Sequence, residues 1–263
     1  MPYRIDLRDA SDPMLDRLVE LGALDVEASS GGLAALLPDS VAPETAASAL
    51  GVDRVAVSPA VGRDAGSVWI LSPRPIRVGS LRIVPAHLEP EPGALRLIDA
   101  PAFGTGLHPT TALCLEALDE AVQIGIPGAV LDVGTGSGVL ALSALVLGVP
   151  RAMAIDIDDE ALRAAADNAA LNGLAGRLQL TRGTPETTAG SWPLVLANVL
   201  TAPLIEMAPA LSRRVGGQGT LVVSGIRASL EPEVARAYRN AGMRCVEVKS
   251  REDWVALVLR ASW

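Results

Sequence analysis

The sequence predicts an α/β protein in two parts: a small α+β sandwich, then a doubly wound, mostly parallel sheet of seven strands whose last strand runs antiparallel. Three observations predict it. Residues 130–138, Val-Leu-Asp-Val-Gly-Thr-Gly-Ser-Gly, precede an apolar run, Val139–Leu147, and then Ala154-Ile155-Asp156. That is a buried strand, a glycine-rich turn, a helix and a second strand ending in an acid, the first half of a nucleotide-binding α/β unit. From about residue 95 onward, strand-like and helix-like segments alternate, which winds a parallel sheet with helices on both faces. The first 58 residues instead read as β, α, β, β, α, β, the order of a ferredoxin-like sandwich.

In that first part, Tyr3–Leu7 alternates like a strand, and Ser11-Asp12-Pro13 opens a helix with a capping residue and a proline in its first turn. Gly22 stops the helix. Leu24–Ala28 and Leu33–Leu37 are strands about the turn Ser29-Ser30-Gly31-Gly32. Pro43–Leu50 is a short helix ended by Gly51, and Arg54–Ser58 is the fourth strand. Residues 59–94 are studded with proline and read as a linker, although Ile76–Val84 has the pattern of a strand pair. Domains are therefore expected at 1–58 and 95–263. In the second, strands fall at 129–133, 152–156, 177–181, 193–197 and 218–224, with helices at 110–122, 137–147, 159–171, 203–213 and 229–241. The last strands, 243–249 and 254–260, have no helix between them and should pair antiparallel.

Composition narrows the class of protein. Of 263 residues, 49% are hydrophobic, enough for a sizeable core, yet no charge-free run approaches membrane-spanning length. The amino terminus has no apolar signal segment, and Cys114 and Cys245 lack metal-ligand spacing, so reduced thiols in a cytoplasm are expected, with no metal. The net charge of −8 argues against affinity driven by nucleic-acid phosphates. Residues 1–58 hold ten Asp/Glu against four Arg, hence −6 of that −8. Either this face is simply well solvated, or it meets a basic protein partner.

Four loops should converge at the carboxyl edge of the sheet, where ligands bind in such folds. They are Phe103–Thr111, Gly134–Gly138, Asp156–Asp158 and Asn198–Pro203. In the second, Gly134, Gly136 and Gly138 let backbone pass close to a ligand. Val139 stands where a dinucleotide binder wants its third Gly or Ala, which points away from a pyrophosphate cofactor and toward S-adenosylmethionine. Asp156 is placed to hydrogen-bond ribose hydroxyls. Gly104 and Gly106 flank Thr105 after Phe103, the chain's only phenylalanine, either a core plug or a ring that closes over the cofactor. Thr110 or Thr111 should cap the following helix and reach the cofactor. Asn198 ends its strand without the Pro-Pro-aromatic sequel that suits a planar amide or adenine acceptor. His108 reads as a structural loop residue rather than a base, and His87 has no assigned role.

Together these stretches resemble a known family. Phe-Gly-Thr-Gly-x-His-Pro-Thr-Thr (103–111), Leu-Asp-Val-Gly-Thr-Gly-Ser-Gly-Val-Leu-Ala (131–141), Asp-Ile-Asp (156–158), Asn-Ala-Ala-Leu-Asn-Gly (168–173) and Ala-Asn-Val-Leu (197–200) look like the PrmA family of methyltransferases of ribosomal protein L-eleven. The resemblance runs from about Pro75 to the carboxyl terminus. It implies a class I, Rossmann-like methyltransferase domain that uses S-adenosylmethionine. It also implies an amino-terminal domain that recognises the basic ribosomal protein, with methyl transfer to lysine or N-terminal amines. Cofactor contacts carry over to Thr111, Gly134, Asp156 and Asn198. Phe103, Gly104, Thr105, Asp132, Gly136, Gly138 and Ile157 complete the candidate set, with Asn198 also positioning the amine. Two departures stand out: Asp99-Ala100-Pro101-Ala102 replaces the family's usual Asp-Pro-Gly, and Trp69 alone remains of its tryptophan-rich linker. Other readings are a methyltransferase of another protein or small amine, a dehydrogenase, or a non-catalytic binding module.

Overall fold

A computed structural model describes residues 3–8, 14, 17–18, 21–23, 25–29, 32–38, 40–59, 75–98, 108–251 and 253–261. The chain divides into two compact units, Met1–Ser72 and Pro73–Trp263.

The first unit carries strands β1 (Tyr3–Arg8), β2 (Asp25–Ser29), β3 (Gly32–Leu37) and β4 (Ala56–Pro59), with helix α1 (Pro43–Leu50) between the last two. The sheet order is β2-β3-β1-β4 with every neighbouring pair antiparallel, the order expected of a β, α, β, β, α, β sandwich. Most of the expected helix from Ser11 to Gly22 lies outside the described residues. Its end is described: the Leu21 N–H donates to the Arg17 carbonyl, and Gly22 is left-handed at φ 73°. Leu18, Ile5, Leu36 and Leu37 are fully buried in this unit.

The second unit opens with a three-stranded sheet, β5 (Ile76–Val78), β6 (Leu81–Pro85) and β7 (Leu95–Leu97). Residues 76–94 are thus not simply linker. Val78, Leu81, Ile83, Leu95 and Leu97 are buried in the same core as the large sheet. Of the prolines that suggested a tether, Pro85 ends β6, and Pro90 and Pro92 lie in the connection that follows it, where no ladder N–H is needed.

The large sheet has the order β10-β9-β8-β11-β12-β14-β13. Its strands are β8 (Val130–Val133), β9 (Ala152–Asp156), β10 (Leu178–Arg182), β11 (Trp192–Asn198), β12 (Val215–Arg227), β13 (Met243–Arg251) and β14 (Trp254–Ala261). The first five run parallel, and β14 pairs antiparallel with both β12 and β13. This is the expected class I layout. Helices α2 (Pro109–Ile124), α3 (Val139–Val146), α4 (Asp159–Leu171), α5 (Thr201–Glu206), α6 (Ala208–Arg214) and α7 (Glu231–Asn240) cover it.

Two apolar clusters occupy the two faces. Val130, Leu194, Leu196 and Val222 pack with α2 and α3, while Leu131, Val195, Val223 and Ile155 pack with α5, α6 and α7. Both faces are dry, which explains why the central strands read as continuous apolar runs. The expected single helix 203–213 is two. Pro209 has no N–H for the Ile205 carbonyl, and the chain turns at Met207.

Candidate functional site

The carboxyl ends of β8, β9, β10, β11 and β12 lie along one edge of the sheet, and most of the candidate residues sit there. Between β8 and α3 the turn is built by its glycines. Gly134, Gly136 and Gly138 have φ of 70°, 53° and 82°, the left-handed region that favours glycine. Space is equally limiting: a β-carbon on Gly134 would lie 2.3 Å from Val199 Cγ1, and one on Gly138 would lie 3.1 Å from Ala165 Cβ. The N–H groups of Gly134 and Thr135 donate to the Ile155 carbonyl at 2.9 and 3.1 Å, which hooks the turn onto the end of β9.

Asp156, at that end, accepts from the Gly136 N–H at 3.0 Å through one oxygen and from the Asp158 N–H at 3.1 Å through the other. Both bonds orient the carboxylate and leave further lone pairs on each oxygen. Ile157 beside it is 68% exposed, an apolar side chain held out at the mouth of the site. Gly183 follows β10 at the same edge and its N–H donates to the Asp156 carbonyl at 2.8 Å. The sequence reading passed over Gly183, whose signal was a glycine directly after a strand end.

Asp132 lies beneath the turn and is fully buried. Its Oδ2 accepts from Thr135 Oγ1 at 2.6 Å and from the Ala141 N–H at 3.2 Å, while Oδ1 has no hydrogen-bond partner. Burial pushes its pKa up to about 6, against the pull of those two hydrogen bonds and with help from the nearby Asp156 charge.

Thr111 and Asn198 meet across the site. Thr111 is fully buried in the first turn of α2, and Asn198 Nδ2 donates to its Oγ1 at 3.1 Å. That bond sets the amide's orientation and leaves Asn198 Oδ1 as its acceptor end. The α2 cap differs from expectation. Neither Thr110 nor Thr111 is the capping residue; His108 is, with Pro109 in the first turn. Its Nδ1 accepts from the Thr110 N–H at 3.4 Å and lies 2.8 Å from Thr110 Oγ1. Burial, aided by Arg227, lowers the imidazole pKa to about 4, so His108 is neutral at physiological pH and a poor base.

A further group went unread in the sequence. His108 meets Trp254 edge-on, with ring centroids 5.0 Å apart. Arg227 lies over the same indole at 4.6 Å and pairs with Asp253 at 3.5 Å. Trp254 and Arg227 are opposite each other in the β12–β14 ladder, 27 residues apart in sequence, so only the sheet register brings them together. Phe103, Gly104 and Thr105 lie outside the described residues. Among the described residues no helix is long and apolar enough to cross a membrane.

Comparisons with known proteins agree with this architecture. The family described as ribosomal protein L11 methyltransferase (PrmA) matches residues 44–262. The ribosomal protein L11 methyltransferase of Pelobacter propionicus is 41% identical over 225 residues, covering 80% of this chain and 71% of that protein. The protein of the same name from Azotobacter vinelandii is 43% identical over 196 residues, 72% of this chain and 65% of its own length. The chain therefore spans about two thirds of the length of these relatives. The crystal structure of ribosomal protein L11 methylase from Lactobacillus delbrueckii subsp. bulgaricus superposes with a TM-score of 0.66 at 29% identity, covering 72% of this chain and all of that one. The chain belongs to the ribosomal protein L11 methyltransferase (PrmA) family.

Proposed function

We propose that this protein transfers methyl groups from S-adenosylmethionine to amines of ribosomal protein L11, lysine side chains or the N-terminal amine. The observation that carries the reading is the meeting of Thr111 and Asn198 beside the Gly134–Gly138 turn and Asp156, on three neighbouring strand ends of a family methyltransferase fold.

The residues present fit the cofactor. Asp156 offers oriented acceptors for a ribose diol, Ile157 an apolar surface for a purine, and the glycine turn a cradle that a β-carbon would fill. Asp132, with its unpartnered Oδ1, and Asp156 supply the negative potential that suits a cationic ligand. When bound, S-adenosylmethionine supplies an electrophilic methyl carbon.

The chain's own task is to present a neutral amine to it. A free lysine has a pKa of about 10.4, so roughly one molecule in a thousand is neutral near pH 7.4. An N-terminal amine, at about 7.7–8.0, needs far less help. The Asn198 Oδ1 end is the acceptor that orients an amine N–H, and the dry surroundings of Thr111 favour the uncharged form. With His108 neutral and engaged by Thr110, alignment rather than a dedicated base carries the rate. Residues 1–58, with their −6 charge, are proposed as the surface that meets the basic substrate, and Phe103–Thr105 as further cofactor contacts. Incubating the protein with labelled S-adenosylmethionine and a lysate lacking this activity tests the reading. Label in ribosomal protein L11 supports it; label only in another protein or in small molecules overturns it.

A further inference from the structure

Strand β7 pairs with β6 along one edge only. Its other edge is closed by side chains of α4. Asn172, which caps that helix, accepts from the Arg96 N–H at 2.8 Å and donates to the Arg96 carbonyl at 2.7 Å, as a neighbouring strand would. One turn earlier, Asn168 Oδ1 accepts from the Ile98 N–H at 2.8 Å. The match is geometric: four residues along a helix rise about 6 Å, and two residues along a strand about 6.6 Å. Two asparagines spaced by four therefore read two alternate residues of one strand edge.

The two amides differ in one respect. Asn172 spends its remaining donor on the Asn168 carbonyl within its own helix, at 2.7 Å. Asn168, only 1% exposed, donates instead to the Ser137 carbonyl at 2.9 Å, inside the glycine turn. One buried side chain thus links the turn to Ile98, directly after β7, and α4 presses on the same turn through Ala165 against Gly138.

We infer that Asn168 is a positioning residue for the cofactor-binding turn, while Asn172, which makes the matching strand contacts, serves the fold alone. The inference rests on the cofactor reading above. With the Ser137 carbonyl held, the N–H groups of residues 134–138 keep the arrangement that Asp156 completes. Without that donor the turn loses this side-chain tether to α4, and cofactor affinity falls although nothing that touches the cofactor has changed.

Paired substitutions separate the two roles. Asn168→Asp keeps an acceptor for Ile98 and, when ionised, has nothing to donate to Ser137; when protonated it restores the donor. Its S-adenosylmethionine affinity, measured by calorimetry on the full chain, should be roughly tenfold weaker at pH 8 and recover toward the parent value at pH 6. Asn172→Asp should lower the melting temperature with affinity within about twofold of the parent at both pH values. Where Asn168→Asp fails to fold, Asn168→Ala takes its place, with the weakening expected at both pH values. Amide exchange at residues 134–138, read without cofactor, should rise in the Asn168 variants and not in Asn172→Asp. Parental affinity and exchange in a folded Asn168 variant, or equal weakening in Asn172→Asp, overturns the inference. Failure of the parent chain to bind S-adenosylmethionine would overturn the cofactor reading instead, with the exchange comparison still deciding the role of Asn168.

Discussion

Asp132→Asn is the substitution whose outcome follows most directly from the geometry. Asp132 is fully buried, one of its oxygens has no partner, and its folded pKa is about 6 against an ordinary 3.8. The sign is that of an acid raised on folding. Below about pH 3.8 the carboxyl is protonated in both states and costs nothing. Between 3.8 and 6 only the unfolded chain ionises, and above 6 the cost of keeping a buried charge is complete. Two pKa units at about 1.36 kcal/mol each amount to roughly 3 kcal/mol at pH 7.5, and about half that at pH 5. Asparagine preserves the shape. Its carbonyl can accept from Thr135 Oγ1 and the Ala141 N–H, and its NH₂ takes the place of the unpartnered oxygen. The two hydrogen bonds weaken on losing the charge, so a net gain on the order of 1–3 kcal/mol remains at pH 7.5. Urea unfolding of parent and variant at a series of pH values measures it. The variant should be the more stable at pH 7.5, with the gap closing as pH falls toward 5, and should bind S-adenosylmethionine less tightly. A less stable variant at pH 7.5, or a gap independent of pH, would refute the reasoning.

Three more outcomes follow. Asp156→Ala should weaken S-adenosylmethionine binding by roughly 1.5–3 kcal/mol, the scale of a charged hydrogen bond, and unchanged affinity in calorimetry would remove Asp156 from the ribose. Asn198→Ala, which strips the acceptor from Thr111's neighbour, should lower kcat by about ten- to a hundredfold with cofactor affinity less affected; a change confined to KM for the cofactor would reassign the residue. Tyr238→Phe removes a hydrogen bond from a fully buried hydroxyl to the Leu204 carbonyl, 3.1 Å away, and should cost about 1 kcal/mol in denaturant unfolding without altering turnover.

How far the sequence discloses this protein depends on the range of the interaction involved. The glycine turn, the acid ending β9 and the helix Asp159–Leu171 are governed by neighbours within a few residues, and their positions in the structure match the reading of the chain. The α1 helix, opened by Pro43 and ended by left-handed Gly51, was legible for the same reason. Within 76–94 the strand pair read at Ile76–Val84 is present as β5 and β6, whereas density of proline hid that these strands belong to the core, because their apolar residues are held by α2 and α3, far along the chain. Proline was informative but unheeded at Pro209, where it splits one amphipathic stretch into two helices. Asn168 and Asn172 entered only as part of a family pattern. Their work, closing the edge of β7, shows itself only once α4 lies beside that strand. Trp254 and Arg227 were missed because sheet register, not spacing, sets them face to face.

The most direct test of the central claim is the intact mass of purified bacterial ribosomal protein L11 after incubation with this protein and S-adenosylmethionine, with the modified positions mapped by peptide fragmentation. The account predicts mass gains in whole methyl steps, located on lysine side chains or the N-terminal amine, and lost when Asp156→Ala replaces the parent enzyme. An unchanged mass in the presence of a chain that demonstrably binds S-adenosylmethionine would contradict it, as would methyl groups confined to oxygen or sulfur atoms.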